Sequence, residues 1–309
     1  MYNKAYGVIE TLAPLHVGAT SGEESGNLNL IFRDQFTQTG IIPGSSIRGR
    51  LRSEMRSERQ QYLEQEIQKK KITIPEEDFE ITTAQGQKEP VTKLDRLEKK
   101  AEELGISTPH DKDENHWYGH EAATGESNKT TESLVKFEYA SILWLPVFCP
   151  SQPIVWVTCP RWLKRYQRVA GVQGSVPKVY TGSSKLDRNK LFFNFGFLTI
   201  DHPKQNLQTW FPDQQERPAV VVGDDEIAMI HDMALYRQTR IAMEKDQKVV
   251  QNFFGVEALP EETILIFPIA HRIDEKGQSW KPFTGKSDIY LGGLESIGFG
   301  HCELTLKEI

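Results

Sequence analysis

Three arginines that lie four residues apart, Arg48, Arg52 and Arg56, directly follow a Pro-Gly-Ser-Ser sequence. This pattern predicts a helix with Ser45 or Ser46 as its N-cap. Like charges at this spacing destabilise an isolated helix by about 0.2–0.5 kcal/mol per pair. A phosphate group would relieve that repulsion and would also bind the free backbone N–H groups at the start of the helix. The alternative, which the sequence leaves open, is a surface helix neutralised by its own glutamates.

Four glycines lie close together in a loop between two strand-like segments; they are Gly292, Gly293, Gly298 and Gly300. Because glycine has no Cβ atom, such a loop allows close approach of a backbone to another group. A loop that cradles a phosphate is one use of this property, and a sharp turn with positive φ is the alternative. On this loop alone the turn is favoured, because no further phosphate-binding motif accompanies it.

Basic residues are concentrated locally although the chain is acidic as a whole, with 37 Lys and Arg, 43 Asp and Glu and a net charge of −6. One stretch without any acid holds Arg161, Lys164, Arg165 and Arg168. Local patches, rather than net charge, form the electrostatic footprint that attracts phosphates. The sequence is therefore compatible with a nucleic-acid partner, although a single basic run is more often a solvated face.

Possible metal ligands cluster between residues 110 and 120; they are His110, Asp111, Asp113, His116 and His120. Imidazole and carboxylate groups bind Zn²⁺. However, no cysteine joins them, and Gly119 disfavours a helix that would place His116 and His120 on one face. The sequence therefore predicts no metal site here.

His16 and three tryptophans each have a functional and a structural interpretation. His16 would contact nucleic acid or act as a base, but a lone histidine on an apolar strand is more often a hydrogen-bonded core residue. Trp144, Trp156 and Trp162 would stack on bases, but their Leu, Ile and Val neighbours indicate core positions. The structural interpretation is favoured in both cases.

The elements that must position these residues alternate between strand and helix patterns. A chain of 309 residues with 38% hydrophobic and 26% charged residues is a folded globular protein rather than a disordered or coiled-coil one. The predicted elements are strands over 5–17 and 28–32, a helix from Ser45, a charged insertion at about 60–115 with a helix over 91–104, a hairpin over 135–159, a basic helix after Pro160, strands over 226–241 and 263–269, and a charged hairpin tip at 244–247.

The three cysteines, Cys149, Cys159 and Cys302, are too few for a disulfide framework, which indicates a reducing compartment. The first residues contain no apolar signal region, and the most apolar stretch, from Ile142 to Phe148, is short and contains a proline. We therefore expect a cytoplasmic protein without a membrane partner.

Four segments carry a recognisable combination of motifs; they are Leu15–Arg52, which includes PGSSIRGRLR, WYGH at 117–120 with residues 135–166, Arg237–Thr263, and the glycine loop Gly292–Leu304. Together they resemble the RAMP superfamily of CRISPR-associated proteins, and within it the backbone subunits that line the guide RNA in type III effector complexes. The resemblance covers well over half of the chain in the family's order.

This resemblance implies an α+β fold of the modified ferredoxin-like, RRM-type kind, with a palm, inserted finger segments and a β-hairpin thumb. It implies a single RAMP domain over 1–309 with the charged insertion at about 60–115. The thumb is expected near Glu244–Lys248, flanked by Arg237 and Arg240. The implied partners are crRNA, complementary target RNA and other effector subunits stacked side by side.

The resemblance also implies which residues bind RNA, and backbone contacts of this kind suit a guide of variable sequence. The expected RNA-binding residues are His16, Arg33, Gly44, Ser45, Ser46, Arg48, Gly49, Arg50, Arg52, Arg161, Lys164, Arg165, Arg237, Arg240, Gly292, Gly293, Gly298 and Gly300.

Family members that cleave target RNA use a metal ion and an aspartate in the loop before Arg33. In this sequence Leu28 occupies the corresponding position, so we expect no cleavage centre and no cofactor. If the loop is shifted, Glu23, Glu24 or Asp34 would supply the carboxylate, and the subunit would then be an Mg²⁺-dependent endoribonuclease.

A third hypothesis is a stand-alone guide-processing ribonuclease of the same superfamily that uses histidine acid–base chemistry. Sensitivity to chelators would distinguish it from the metal enzyme, and the PGSSIRGRLR block argues against it.

Overall fold

The computed structural model describes residues 2–18, 28–71, 80–82, 88–90, 92–120, 130–150, 152–194, 196–243 and 250–308. The strands in these residues are β1 (Asn3–Thr11), β2 (Leu28–Asn29), β3 (Ile41–Ile42), β4 (Glu80–Thr82), β5 (Lys88–Pro90), β6 (Val135–Phe137), β7 (Ala140–Phe148), β8 (Ile154–Thr158), β9 (Lys190–Phe193), β10 (Gly196–Thr199), β11 (Ala219–Val221), β12 (Tyr236–Met243), β13 (Val250–Ala258), β14 (Ile264–His271), β15 (Lys286–Tyr290) and β16 (His301–Glu308). The helices are α1 (Gly44–Lys69), α2 (Lys93–Glu103), α3 (Glu114–Tyr118), α4 (Pro160–Ala170) and α5 (Ile227–Ala234), with 3₁₀ turns at His110–Lys112, Gln208–Trp210 and Glu295–Ile297. This mixture of strands and helices confirms the predicted α+β class.

The chain divides into two compact units, each built from separate stretches of sequence. The smaller unit consists of residues 1–3, 48–136 and 271–282, and the larger unit of residues 4–47, 137–270 and 283–309. Most of the predicted charged insertion at about 60–115 therefore lies in the smaller unit, together with the segment 271–282. That the chain acts as a single RAMP domain stays a prediction.

The central sheet of the larger unit runs in the order β11-β8-β7-β14-β1-β16-β15, with β3 beside β7. β7 and β8 pair antiparallel, which confirms the predicted hairpin. β1 pairs antiparallel with β16, in a register from Ala5 opposite Glu308 to Thr11 opposite Cys302. Neighbouring strands within the sheet therefore include a pair that is far apart in sequence.

The predicted tryptophan stripe belongs to the core. Trp144, Trp156 and Trp162 are 0%, 8% and 3% exposed. The Trp144 ring stacks on Phe211 with 4.3 Å between ring centroids, a contact that contributes about 0.5–1.5 kcal/mol beyond burial. These tryptophans thus hold α4 and the surrounding loops on the sheet, as the core interpretation predicts.

The apolar stripe of α1 forms as its spacing predicts, with Ile47, Leu51 and Met55 all buried. In the smaller unit, Leu63 of the same helix packs against Leu97 of α2. A capping box at the start of α2 and a left-handed Gly105 (φ 65°) after its end delimit that helix. The helix predicted over 91–104 is therefore confirmed.

The strand predicted over 226–241 is wrong in its first half, because residues 227–234 form α5 and β12 begins only at Tyr236. Ile227, Ile230 and His231 recur at helical spacing and are buried. A short apolar run does not distinguish a buried helix from a strand by itself. The strands predicted over 5–17 and 28–32 are also shorter than expected, ending at Thr11 and Asn29.

A hairpin separate from the central sheet is formed by β12 and β13, with Tyr236 opposite Ala258, and β2 adds in parallel to β13. The predicted hairpin tip at 244–247 lies outside the described residues. None of the helices described here has the length and apolar character needed to cross a membrane.

All three cysteines are buried and unpaired. Burial raises the pKa of Cys302 to about 12 and also raises that of Cys159. The thiols of Cys159 and Cys302 are therefore held in the protonated form at neutral pH.

Candidate nucleic-acid interface

Two arginines from different elements bind one buried carboxylate. Glu257 lies on β13, and its side chain is 3% exposed. Arg33 donates from Nη2 to Glu257 Oε2 at 3.0 Å, and Arg237, the cross-strand neighbour on β12, donates from Nη2 to Oε1 at 3.0 Å. A buried carboxylate is costly unless it is paired. With Asp232, these residues form what we call the Glu257 cluster.

Asp232 on α5 holds the other side of the Arg33 guanidinium. Arg33 donates from Nη1 to Asp232 Oδ1 at 2.6 Å. Burial lowers the pKa of Arg33, but the hydrogen bonds and negative charges of Asp232 and Glu257 outweigh this and raise it overall. Arg33, Asp232 and Arg237 line an open cavity of about 580 Å³. Two guanidinium groups, each held in a fixed orientation, therefore face the same opening.

His231 supports this cluster in its neutral form. Its Nε2 accepts a hydrogen bond from the Gly40 N–H at 2.9 Å, which places its proton on Nδ1. Burial, with a smaller contribution from the positive charge of Arg33, lowers the pKa of His231 to about 3. The uncharged imidazole thus fixes the backbone of the loop that carries Arg33.

His16 contacts β13 through the backbone of Glu257. It is 7% exposed, and its Nδ1 lies 2.6 Å from the Glu257 carbonyl oxygen. Because a carbonyl oxygen only accepts, Nδ1 is the protonated nitrogen. This agrees with the interpretation of His16 as a hydrogen-bonded core residue, and its contact with RNA stays a prediction.

The glycine loop packs directly on the backbone of the 14–18 segment. Gly293 N–H donates to the His16 carbonyl at 2.9 Å, and a Cβ atom on Gly292 would lie only 2.1 Å from that oxygen. Gly300 N–H donates to the Pro14 carbonyl at 2.9 Å. A Cβ atom on Gly300 would lie 2.4 Å from the Leu291 carbonyl oxygen, so close packing accounts for Gly292 and Gly300. A Cβ atom on Gly293 or Gly298 would meet nothing within 4 Å, but Gly298 has a positive φ of 94°, which favours glycine.

The arginines of α1 contact α3 in the smaller unit. Arg48 donates from Nη2 to the Tyr118 carbonyl at 2.5 Å, and Arg52 donates from Nη2 to Asn115 Oδ1 at 2.9 Å. Burial, together with the charges of Arg56 and Arg48, lowers the pKa of Arg52. Helix α3 contains the Trp117–Tyr118 part of the WYGH motif, so these two sequence signals belong to one packed unit.

A buried carboxylate supplies part of the negative charge that offsets the repulsion between the arginines of α1. Glu114 is 1% exposed and pairs with Arg56 at 3.4 Å and with Arg59 at 3.3 Å. Arg50 pairs instead with Glu54 on the same helix at 3.1 Å. The repulsion between arginines is thus partly relieved inside the protein, and phosphate binding by this helix stays a prediction.

The start of α1 belongs to the larger unit and is tightly packed. A Cβ atom on Gly44 would lie 2.6 Å from the Phe137 carbonyl oxygen, which explains why this position lacks a side chain. Ser46 N–H donates to the Pro43 carbonyl, and Ser45 is exposed. Gly49 differs, because it is exposed and a Cβ atom there would meet nothing within 4 Å.

Helix α4 presents Arg161 and Lys164 on its exposed face. Arg165 is used locally: its guanidinium lies over the Tyr139 ring, 4.3 Å from the centroid, and donates to the Tyr139 carbonyl at 3.0 Å. Three residues of this helix are predicted to bind RNA, and two of them, Arg161 and Lys164, therefore keep exposed charges.

On the β12–β13 hairpin, Arg240 lies over the ring of its cross-strand neighbour Phe254, 5.6 Å from the centroid. The predicted thumb segment Glu244–Lys248 lies outside the described residues.

Asp34, one of the predicted catalytic carboxylates, forms a turn. Its Oδ1 accepts hydrogen bonds from Phe36 N at 3.0 Å, Thr37 N at 2.7 Å and Thr37 Oγ1 at 2.9 Å. Burial raises the pKa of Asp34, but these hydrogen bonds, with the charge of Arg161, lower it overall. The groups that surround Oδ1 are hydrogen-bond donors rather than the additional oxygen ligands that Mg²⁺ requires.

Leu28, which is expected to occupy the position of the family's aspartate, is the first residue of β2 and lies opposite Gly255 of β13. The other two candidate carboxylates, Glu23 and Glu24, lie outside the described residues. Among the predicted catalytic residues, only Asp34 therefore has a described environment, in which its Oδ1 forms a turn.

Glu257, Asp232 and His231 were not singled out from the sequence, although they hold the predicted residues His16, Arg33 and Arg237 together. One signal was present: Glu257 is a lone acid within the apolar run FFGVEAL. Asp232 and His231 offered no comparable signal, because their helix had been predicted as strand.

The model of the RAMP superfamily matches residues 8–303 of this chain. Among solved structures, the chain is similar to one from "Cryo-EM structure of the Type III-B Cmr-beta bound to cognate target RNA", with 18% identity, a TM-score of 0.59 and coverage of 98% of this chain and 96% of that chain. It is also similar to "Crystal structure of oligomeric Cmr4 from Pyrococcus furiosus", with 17% identity, a TM-score of 0.58 and coverage of 100% of both chains. A search of curated proteins found no match. These likenesses establish a shared fold over nearly the full length.

Proposed function

Since this chain belongs to the RAMP superfamily, we propose that it is a crRNA-binding backbone subunit of a type III CRISPR effector complex, without a cleavage centre of its own. The observation that carries the proposal is the fold shared with Cmr4 over the whole of both chains. The partners would be crRNA, complementary target RNA and other subunits stacked side by side.

The exposed features of the chain suit contact with an RNA backbone. Arg161 and Lys164 are exposed, and Arg237 keeps 48% of its side chain exposed although it pairs with Glu257. The three candidate tryptophans are in the core, so they do not form a stacking platform. Contacts to phosphates are independent of base sequence, as a subunit that binds guides of many sequences requires.

The alternative is the same subunit acting as an Mg²⁺-dependent endoribonuclease on target RNA, with Glu23, Glu24 or Asp34 as its carboxylate. Mg²⁺ would there neutralise charge on the scissile phosphate and activate a water molecule. Leu28 at the family's aspartate position and the turn-forming role of Asp34 favour the subunit without cleavage activity.

Cleavage of labelled complementary RNA by the assembled complex in Mg²⁺ tests the two functions. The wild type is compared with Glu23→Ala, Glu24→Ala and Asp34→Ala, and with Asp288→Ala, an exposed acid on β15, as the control. We expect every product to persist in all four variants. Loss of one product in a candidate variant that still binds guide would establish the endoribonuclease.

The proposal includes the cytoplasm as the compartment. Three buried, unpaired cysteines are the usual state of a protein in a reducing environment. Fractionation of cells that express the tagged protein would check this placement.

A further inference from the structure

Two histidines and one aspartate in the smaller unit direct a ligand atom each towards a common point. His110 Nδ1 lies 3.0 Å from Asp274 Oδ2, and His116 Nε2 lies 3.3 Å from the same oxygen. All three atoms lie within 4.8 Å of one another. Within the described residues, this is the one group of three or more His, Cys, Asp or Glu side chains so arranged.

The backbone of both histidines and the side chain of Asp274 are held in place by neighbouring groups. The carbonyl of His110 accepts a hydrogen bond from Trp117 Nε1 at 2.7 Å. Asp113 caps α3 and accepts from the backbone N–H of His116 at 3.3 Å. Asp274 Oδ1 accepts from the backbone N–H groups of residues 276 and 278 at 2.9 and 2.6 Å, which leaves Oδ2 to face the histidines. For Asp274, hydrogen bonds of this kind orient a metal ligand.

Two of the three ligand atoms are shielded from solvent. The Asp274 side chain is 0% exposed. His116 Nε2 is buried and has no hydrogen-bond partner of acceptable geometry. A cation between the three ligand atoms would give His116 Nε2 the partner that it lacks.

We propose that His110, His116 and Asp274 bind a divalent transition-metal ion of the Zn²⁺ type, with its fourth coordination position open. Two atoms that are each about 2.1 Å from a tetrahedral ion lie about 3.4 Å apart, close to the 3.0 and 3.3 Å separations found here. Two nitrogens and one oxygen suit Zn²⁺, whereas Mg²⁺ and Ca²⁺ prefer oxygen ligands.

An open cavity of about 850 Å³ is lined by His110, His116 and Asp274 together with His120. A water molecule can enter this cavity and complete a tetrahedral set. His120 is not part of the group of three converging ligand atoms. It is therefore a neighbouring histidine whose removal leaves the three ligands in place.

The sequence predicted no metal here because it offered only the residues between 110 and 120. Gly119 separates His120 from α3, as expected, but His110 reaches His116 through the 3₁₀ turn before α3, with 4.4 Å between ring centroids. The third ligand, Asp274, lies 164 positions after His110. The bound ion would join these distant segments within the smaller unit.

Metal binding by the purified full-length chain tests the proposal independently of RNA. After treatment with a chelator and its removal, the protein is titrated with Zn²⁺ against a chromophoric competitor and, separately, with Co²⁺. We expect one ion per chain, an intense visible Co²⁺ spectrum typical of four-coordinate sites, and a thermal midpoint that rises with Zn²⁺.

Asp274→Asn and His116→Ala should each weaken Zn²⁺ binding by at least tenfold and abolish the Zn²⁺-dependent rise of the midpoint. His120→Ala is the matched control and should bind as the wild type does. Circular dichroism checks that each variant is folded, and the Co²⁺ spectrum of the wild type needs no variant at all. A wild type that binds no Zn²⁺ at micromolar concentration and gives no Co²⁺ spectrum, or a His120→Ala effect as large as the others, would overturn the proposal.

Discussion

Arg237 and Glu257 face each other across the β12–β13 hairpin, and both Nε and Nη2 of the arginine donate to the same carboxylate oxygen, at 3.2 and 3.0 Å. The other oxygen of Glu257 accepts from Arg33. One buried acid therefore connects the hairpin to the loop that precedes α1. The position of Arg237 at the edge of the open cavity depends on this acid.

Replacing Glu257 by Ala should destabilise the protein. We expect the free energy of unfolding to fall by about 1–3 kcal/mol, less than the roughly 3–5 kcal/mol for a fully buried pair. The reason is that Arg33 and Arg237 are 22% and 48% exposed, so water would solvate their freed charges. Urea denaturation at pH 7 measures the change.

The matched control is Asp232→Ala, which removes the second acid bound to Arg33. Asp232 is 51% exposed, so its loss should change the free energy of unfolding by no more than about 1 kcal/mol. Equal losses in the two variants would contradict the assignment of Glu257 as the central acid of the cluster.

Stability should fall as the pH drops from about 6.5 towards 3, because of His231. Its pKa is about 3 in the folded protein and near 6.5 when unfolded. The unfolded chain therefore binds an additional proton in this window, and each pH unit costs up to about 1.4 kcal/mol. Above pH 6.5 both states leave this histidine neutral, so its contribution to stability is fully present.

His231→Gln removes this titration while keeping an acceptor for the Gly40 N–H. Denaturant unfolding at pH 7, 6 and 5 should show a smaller loss of stability with falling pH in the variant than in the wild type. Parallel pH profiles would show that His231 is not the group responsible. The carboxyl of Asp274, with its pKa of about 2, affects stability only below about pH 4 and lies outside this range.

Gly49→Ala should stabilise the isolated chain and weaken its binding to crRNA. Alanine in a helix interior is about 1 kcal/mol more favourable than glycine, and the new methyl group would meet nothing within 4 Å in the protein. If RNA approaches this face, the methyl group would obstruct it. Thermal unfolding and a crRNA mobility-shift titration measure the two effects.

Ser53→Ala, at an exposed position one turn further along α1, is the control for Gly49→Ala. It should leave crRNA affinity unchanged. An affinity unaffected by Gly49→Ala would remove Gly49 from the interface.

Arg161→Ala and Lys164→Ala should weaken crRNA binding without regard to guide sequence. Each lost phosphate contact should reduce the slope of log affinity against log salt by about 0.7 for single-stranded RNA. Binding titrations at several salt concentrations measure that slope. Lys286→Ala removes a lysine already paired with Glu303 and should leave the slope unchanged. A change as large as that of Arg161→Ala would indicate general charge rather than a localised site.

Local patterns predicted the parts of the fold that depend on local spacing. The stripe of Ile47, Leu51 and Met55 and the hairpin of β7 and β8 lie as predicted, because periodicity and turn residues determine them. Helix α5 was missed because a short apolar run fits either a helix or a strand. No local pattern marks a pairing across the fold such as that of Arg33 with Glu257.

The sequence likewise predicted only some residues of the candidate site. His16, Arg33 and Arg237 were singled out and do converge on Glu257. The arginines of α1 were also singled out, but their buried partner Glu114 was not. Charged side chains are easily identified in a sequence, whereas the partners that neutralise them are brought close only by tertiary structure.

The antiparallel pairing of β1 with β16 has a consequence for synthesis on the ribosome. Residues 5–11 of β1 pair with residues 302–308, so the nascent strand emerges long before its partner exists. At about 5–20 residues per second, the delay is roughly 15–60 s. During that time the edge of β1 that pairs with β16 has no native neighbour, and folding of the central sheet must wait for β16, the last strand of the described residues.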